Sequence, residues 1–127
     1  MTGIAKFSLV ALDCPDPLAL AQFYGLITGW PIGRGDGQSE WVQLAGDGGA
    51  TIAFQRVADF VPPVWPGPDH PQQAHIDFDV DDLDVGEAAI LEIGARKAEF
   101  QPDPDGFRVY LDPVGHPFCL VLDHSMR

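Results

Sequence analysis

Positive charge is scarce in this chain: Lys and Arg number 7 against 19 Asp and Glu, for a formal net charge of −12 over 127 residues. No segment gathers positive charge. Displacing counterions from phosphates requires such clusters, so nucleic-acid binding is not expected, and neither is docking on an anionic membrane surface. Long apolar runs are missing as well, none approaching the roughly 20 residues that span a bilayer. The N-terminal MTGIAKFSLVAL has neither the extended apolar stretch nor the small-residue cleavage site of a secretory signal. Cys14 and Cys119 are too few for a disulfide scaffold. These absences together predict a soluble, cytoplasmic, acidic protein.

Hydrophobic residues make up 46% of the sequence, enough for a packed core. The length suits one domain, or two half-domains too small to fold apart. Gly and Pro, 14 and 12 of them, fall in punctuating clusters that read as tight turns between short elements. Between those clusters lies an internal repeat. Leu20, Phe23, Tyr24 and Ile27 follow the i, i+3, i+4, i+7 spacing of a helix with one buried face, and Gly86, Ala89, Ile90 and Ile93 repeat it at a constant offset of 66 residues. Gly29 and Gly94 are placed to close the two helices in the left-handed conformation.

Strand-like runs surround each helix. A first strand is expected over about 4–12, with Asp16 capping the next helix and Pro17 in its first turn. RGDGQ (34–38) reads as a loop, and SEWVQLA (39–45) and ATIAFQRV (50–57) as a hairpin across Gly46-Asp47-Gly48-Gly49. Residues 58–73 carry five prolines in sixteen positions, which excludes helix and interior strand and predicts an extended crossover, lying across the other half or a second subunit. The second half reads as a strand over 74–80, a helix over about 83–93, a short strand near 96–100, and a hairpin of 107–111 with 117–123. The expected architecture is α+β: a single domain of two βαβββ modules, residues 1–57 and 74–127, joined by the crossover 58–73.

Three segments, FSLVALDCPDPLALAQFYGLITGW (7–30), HIDFDVDDLDVGEAAILEIGA (75–95) and YLDPVGHPFCLVL (110–122), resemble the vicinal oxygen chelate superfamily and its glyoxalase-like, bleomycin-resistance-like branch. The DP-x-G turn before the last strand is the most telling of them. The resemblance implies a curved mixed sheet around a small-molecule cavity, outer helices, a homodimer, and in active relatives a divalent metal bound from four strands. The four ligand positions fall on Leu9, Ala53, His75 and Cys119; Leu9 to His75 and Ala53 to Cys119 are again offsets of 66. Leu9 and Ala53 have no lone pair to offer, and Cys119 stands where Glu is usual. The cofactor is therefore left unknown, with a divalent metal disfavoured and His75 the one metal-ligand candidate.

Alternation along strands assigns the cavity-facing side chains. Ile76, Phe78 and Val80 form the apolar, helix-facing side of their strand, which leaves His75, Asp77 and Asp79 on the other. The same parity selects Phe7, Leu9 and Ala11; Thr51, Ala53 and Gln55; Cys119 and Val121; and, by a weaker inference, Trp41 and Gln43 with Arg108 and Tyr110. His75 and Asp77 are the catalytic candidates, a histidine beside a carboxylate being suited to general-base work. Leu9, Trp41, Gln43, Ala53, Gln55, Arg108, Tyr110 and Cys119 are the ligand-binding candidates. Each has a plainer explanation. His75 can be an inert, hydrogen-bonded remnant of a lost metal site. Asp81, Asp82 and Asp84 suit a helix N-terminus, His116 suits a turn, and His70 and His124 suit a loop and a terminus. Trp65 suits a core or a dimer interface as well as a flat ligand, and Cys119 a small buried apolar position. Two functions remain open: an enzyme of the lyase, isomerase or oxygenase kind centred on His75, and a non-catalytic, drug-sequestering binder of small molecules.

Overall fold

The computed structural model describes residues 3–122, so His124 and the end of the last predicted strand at residue 123 lie outside the described residues. The elements follow one another as β1 (Leu9–Cys14), α1 (Pro17–Thr28), β2 (Ile32–Arg34), β3 (Trp41–Leu44), β4 (Thr51–Arg56), β5 (Ile76–Val80), α2 (Leu83–Glu92), β6 (Arg96–Lys97), β7 (Phe107–Leu111) and β8 (Pro117–Leu122). They form two compact units, the first ending at Phe60 and the second beginning at Val61. Each unit is a βαβββ module with a four-stranded mixed sheet, ordered β1-β4-β3-β2 in the first and β5-β8-β7-β6 in the second. The two sheets are curved and open. In each, the strand before the helix pairs in parallel with the last strand of its module, and the remaining pairs are antiparallel. The 66-residue offset carries β4 onto β8 residue for residue.

Local chemistry explains the first module. The Asp16 side chain accepts from the Ala19 N–H, Pro17 opens α1 where a missing N–H costs nothing, and Gly29 ends it at φ 77°. α1 buries Leu20, Ala21, Phe23 and Tyr24, and the Tyr24 ring stacks on Phe54 of β4 with centroids 5.6 Å apart. The first strand begins later than its sequence suggests, at Leu9 rather than near residue 4. Its parallel partner starts at Thr51, directly after the glycine turn, so residues ahead of Leu9 have no ladder to join. Phe7 is accordingly 67% exposed. At the other end β1 runs on through Asp13 and Cys14 to the proline at 15.

In the second module the Asp82 carboxylate accepts from the N–H groups of Asp84 and Val85 and so caps α2. The capping residue at the far end is Ile93, at φ −94°, with Gly94 one position beyond at φ 114°. The glycine therefore relieves the turn after the cap and is not the cap itself. α2 packs closely on its sheet because position 86 has no side chain: a Cβ there would lie 3.1 Å from Leu120 and 3.2 Å from Val80. Ala89, expected on the buried face, is exposed, and Glu87 turns toward the sheet instead. At the β7–β8 turn the fully buried Asp112 accepts through Oδ1 from the N–H groups of Val114, Gly115 and His116, each within 3.0 Å. His116 is thus a turn residue.

Candidate functional site

Pairing registers decide which side chains share a face. On the second sheet Asp77 stands opposite Cys119 and Cys119 opposite Val109; Phe107 pairs with Val121 and Leu111 with Pro117. This face turns away from α2. Ala98, Val109, Cys119 and Val121 form a buried apolar cluster on it, with Trp65 and Phe107 packed against the cluster. The opposite face carries Phe78 and Phe118, ring centroids 6.0 Å apart, toward the helix. The proline-rich segment therefore lays Trp65 on the sheet of its own module. The Trp65 ring meets Phe100 at 5.8 Å between centroids.

A cavity of about 230 Å³ opens on this face, walled by Trp65, Phe107, Val109 and Cys119 and edged by His75. Gln72, Pro102 and Pro117 complete it. His75 sits immediately before β5, and its Nε2 lies 3.2 Å from Asp77 Oδ1. Both side chains are close to half exposed, so the pair contributes little to stability and is open to solvent or a ligand. The Cys119 thiol is buried, and its pKa is pushed up to about 12, by burial first and then by the charge and hydrogen bonding of the Asp77 carboxylate. It is a neutral thiol and a poor nucleophile.

Arg108 and Tyr110 face the other way, which corrects their assignment to the cavity. Arg108 pairs in register with Leu120, on the helix side. Its guanidinium is 2.9 Å from Asp84 and 3.5 Å from Glu87, both on α2, and the hydrogen bond to Asp84 leads the causes that raise its pKa. Fully buried Tyr110 donates its hydroxyl to Glu87 at 2.7 Å, and Lys97 reaches the same carboxylate at 2.9 Å. Burial, first, and the hydrogen bond to Glu87 hold the Tyr110 phenol well above its ordinary range. Burial alone would raise the Glu87 pKa, but hydrogen bonds from Lys97 and Tyr110 with the charges of Lys97 and Arg108 outweigh it and leave the carboxyl low. This network locks α2 to β6 and β7.

Phe107 and Val109 occupy the places that Arg108 and Tyr110 were expected to fill. The repeat contained the signal: adding 66 to Trp41 and Gln43 gives 107 and 109. On the first sheet Trp41 stands opposite Gln55 and Gln43 opposite Ala53, while Ala11 pairs with Ala53 and Leu9 with Thr51. Leu9, Trp41, Gln43, Ala53 and Gln55 therefore share one face of that sheet, and Trp41 Nε1 donates to Gln43 Oε1 at 3.2 Å. Gln72 had no sequence signal, because an aperiodic proline-rich segment obeys no alternation rule.

The donor chemistry can be tested against a metal. Leu9 and Ala53 supply no donor, and Ala53 is fully buried. The four-strand set implied by the resemblance does not fit a divalent ion, and no chemical step is derived through one. Among the described residues one group of three remains: the ligand atoms of His75, Asp77 and Cys119 lie within 4.8 Å of one another. Nitrogen, oxygen and sulfur together suit zinc rather than magnesium.

Comparison with known proteins agrees with the architecture. The structure of a glyoxalase/bleomycin resistance protein/dioxygenase family enzyme from Burkholderia phytofirmans PsJN superposes with a TM-score of 0.66 at 20% identity, covering 89% of this chain and 94% of that one. A glyoxalase-related enzyme from Fulvimarina pelagi gives 0.65 at 17% identity, over 94% of this chain and 89% of its own. The hypothetical protein SA1046 from S. aureus gives 0.65 at 19% identity, over 94% and 99%. At these identities the likeness is one of fold. No curated protein sequence matches the chain. No helix among the described residues is long and apolar enough to cross a membrane. The profile of the glyoxalase-like domain matches residues 9–121, nearly the whole sequence. The chain belongs to the glyoxalase-like domain family of the vicinal oxygen chelate superfamily.

Proposed function

We propose that this protein binds a small, flat organic molecule in the cavity of its second module. The observation that carries this reading is the cavity itself: an apolar hollow between Trp65, Phe107 and Val109 with the His75–Asp77 pair at its edge. Small-molecule sites are generally built this way, from apolar walls and a few placed polar groups. An engineered cavity of about 150 Å³ takes up benzene, so about 230 Å³ accommodates one ring with substituents or a compact bicycle. Fold alone does not assign the activity, because one architecture hosts several chemistries.

A catalytic reading has one observation in its favour. His75 is oriented by a carboxylate at 3.2 Å and borders the cavity, an arrangement suited to moving a proton to or from a bound molecule. The raised thiol pKa of Cys119 argues against covalent catalysis there. Assembly as a homodimer follows from the family resemblance and is checked by light scattering.

Calorimetric titration with indole tests the binding reading. The wild-type protein is expected to bind, and Val109→Phe, which places a ring in the hollow, is expected to lose binding while keeping its far-ultraviolet circular dichroism. Retained affinity in Val109→Phe, or no binding of indole by the wild type, refutes it. His75→Ala separates the two readings: a binder changes affinity by a few fold, whereas an enzyme loses turnover with affinity kept.

A further inference from the structure

Charge at the cavity has one sign. On β5, Asp77 and Asp79 stand opposite Cys119 and Val121, two members of the apolar cluster on the cavity face. The Asp77 carboxylate is 3.2 Å from His75 Nε2, and the ligand atoms of His75, Asp77 and Cys119 lie within 4.8 Å of one another. His75 and Cys119 both line the hollow, so this half-exposed carboxylate stands at its edge. Among the described residues, no lysine or arginine lines it. Lys97 and Arg108 are paired with α2 on the other face of the sheet. Arg96 stands opposite Leu111 in β6, at the sheet edge farthest from β5. Three strand spacings separate those edges, about 14 Å, beyond the screening length at physiological salt.

Resting on the binding reading above, we propose that this site takes small aromatic cations, an aryl ring carrying a protonated amine, with the ring in the hollow and the ammonium against Asp77. Each part of that description has a source in the structure. The ring follows from the walls that Trp65 and Phe107 form. The ammonium follows from Asp77: a carboxylate accepts charged N–H donors strongly, and a neutral histidine beside it supplies a hydrogen bond but no charge. Aryl carboxylates and phosphates are excluded, because they would set like charge beside Asp77 in a chain of net charge −12.

Benzylamine, benzyl alcohol and benzoate share a ring and differ in charge, so together they isolate the contact. Nitrogen-15 NMR titrations of the wild-type protein are run at pH 8, above the ordinary histidine range, at physiological ionic strength with EDTA to exclude metals. Benzylamine is expected to bind about tenfold tighter than benzyl alcohol, the combined worth of a partly exposed ion pair and a neighbouring aromatic ring, and benzoate more weakly than either. Asp77→Asn keeps the size of the side chain and removes its charge, and is expected to bring benzylamine within about threefold of benzyl alcohol. Equal affinity of the wild type for benzylamine and benzyl alcohol, or tighter binding of benzoate, overturns the charge assignment and leaves the cavity reading intact. An undiminished preference for benzylamine in Asp77→Asn overturns it too, since the attraction is then a property of the whole acidic surface. Binding of none of the three at millimolar concentration removes the cavity reading and this inference together. The wild-type comparison decides the matter alone if the variant does not fold.

Discussion

Replacing Asp77 with Asn should make Cys119 react faster without touching it. In the wild-type protein the thiol pKa is pushed up to about 12 by burial and by the neighbouring carboxylate. At pH 8 the thiolate fraction is then on the order of one in ten thousand, against about a quarter for an ordinary thiol of pKa about 8.5, a deficit of roughly 2,500-fold. Burial, the largest cause, persists in Asp77→Asn, but the like charge and its hydrogen bonding are lost. Removing a charge at this range is worth about one pKa unit, so alkylation should accelerate about tenfold. The assay is iodoacetamide labelling at pH 8 read by mass spectrometry of the Cys119 peptide. Cys14 is the internal control: it is fully buried, and its thiol donates to the Gln55 carbonyl at 3.6 Å, in the other module. Its rate should not change. Equal Cys119 rates in the two proteins, or a parallel rise at Cys14, would refute the placement of Asp77 and Cys119 side by side on one face.

Four other expectations follow from the same geometry. Tyr110→Phe removes one hydrogen bond to a carboxylate and should cost about 1.5 kcal/mol in urea unfolding, with indole affinity unchanged because the ring faces α2. Glu87 has a folded pKa below its ordinary 4.5, so its stabilisation is present above that value and is lost as pH falls through the lower folded value. Glu87→Gln should therefore flatten the acid side of the stability profile measured by thermal unfolding between pH 3 and 6. Gln101 clamps the strand that carries Val109, accepting from its N–H at 2.9 Å and donating to the Val109 and Ala98 carbonyls at 2.8 Å. Gln101→Leu should cost roughly 2–3 kcal/mol in the same unfolding assay and weaken indole binding as Val109 loosens. Among metals, Zn²⁺ should raise the melting temperature through His75, Asp77 and Cys119 while millimolar Mg²⁺ does not, and the zinc effect should vanish in Cys119→Ser.

Most of the architecture was legible because the chain states it twice. The helix spacing, the capping residues Asp16 and Asp82 and the glycine-rich hairpin each obey local rules, and the offset of 66 ties the two copies together. His75, Asp77 and Cys119 were placed on one face by alternation alone, and the register puts Asp77 opposite Cys119. β7 misled for a physical reason. Alternation tells which side chains share a face of a strand but not which face meets the helix, and Arg108, expected at the cavity, is taken to the helix side by the acidic pair Asp84 and Glu87, which compensates its burial. The start of β1 was misjudged because an alternating pattern does not make a strand without a partner to pair with. Trp65 and Gln72 were beyond reach of any periodic rule; only tertiary packing places the side chains of a proline-rich crossover.

The most direct test of the binding site is a set of intermolecular nuclear Overhauser effects from bound indole. Contacts to the Val109 methyl groups, the Trp65 ring and the Cys119 β-protons, with none to the Arg108 or Tyr110 side chains, are the predicted result. Contacts to the Tyr110 ring, or to residues of the first module alone, would contradict the account.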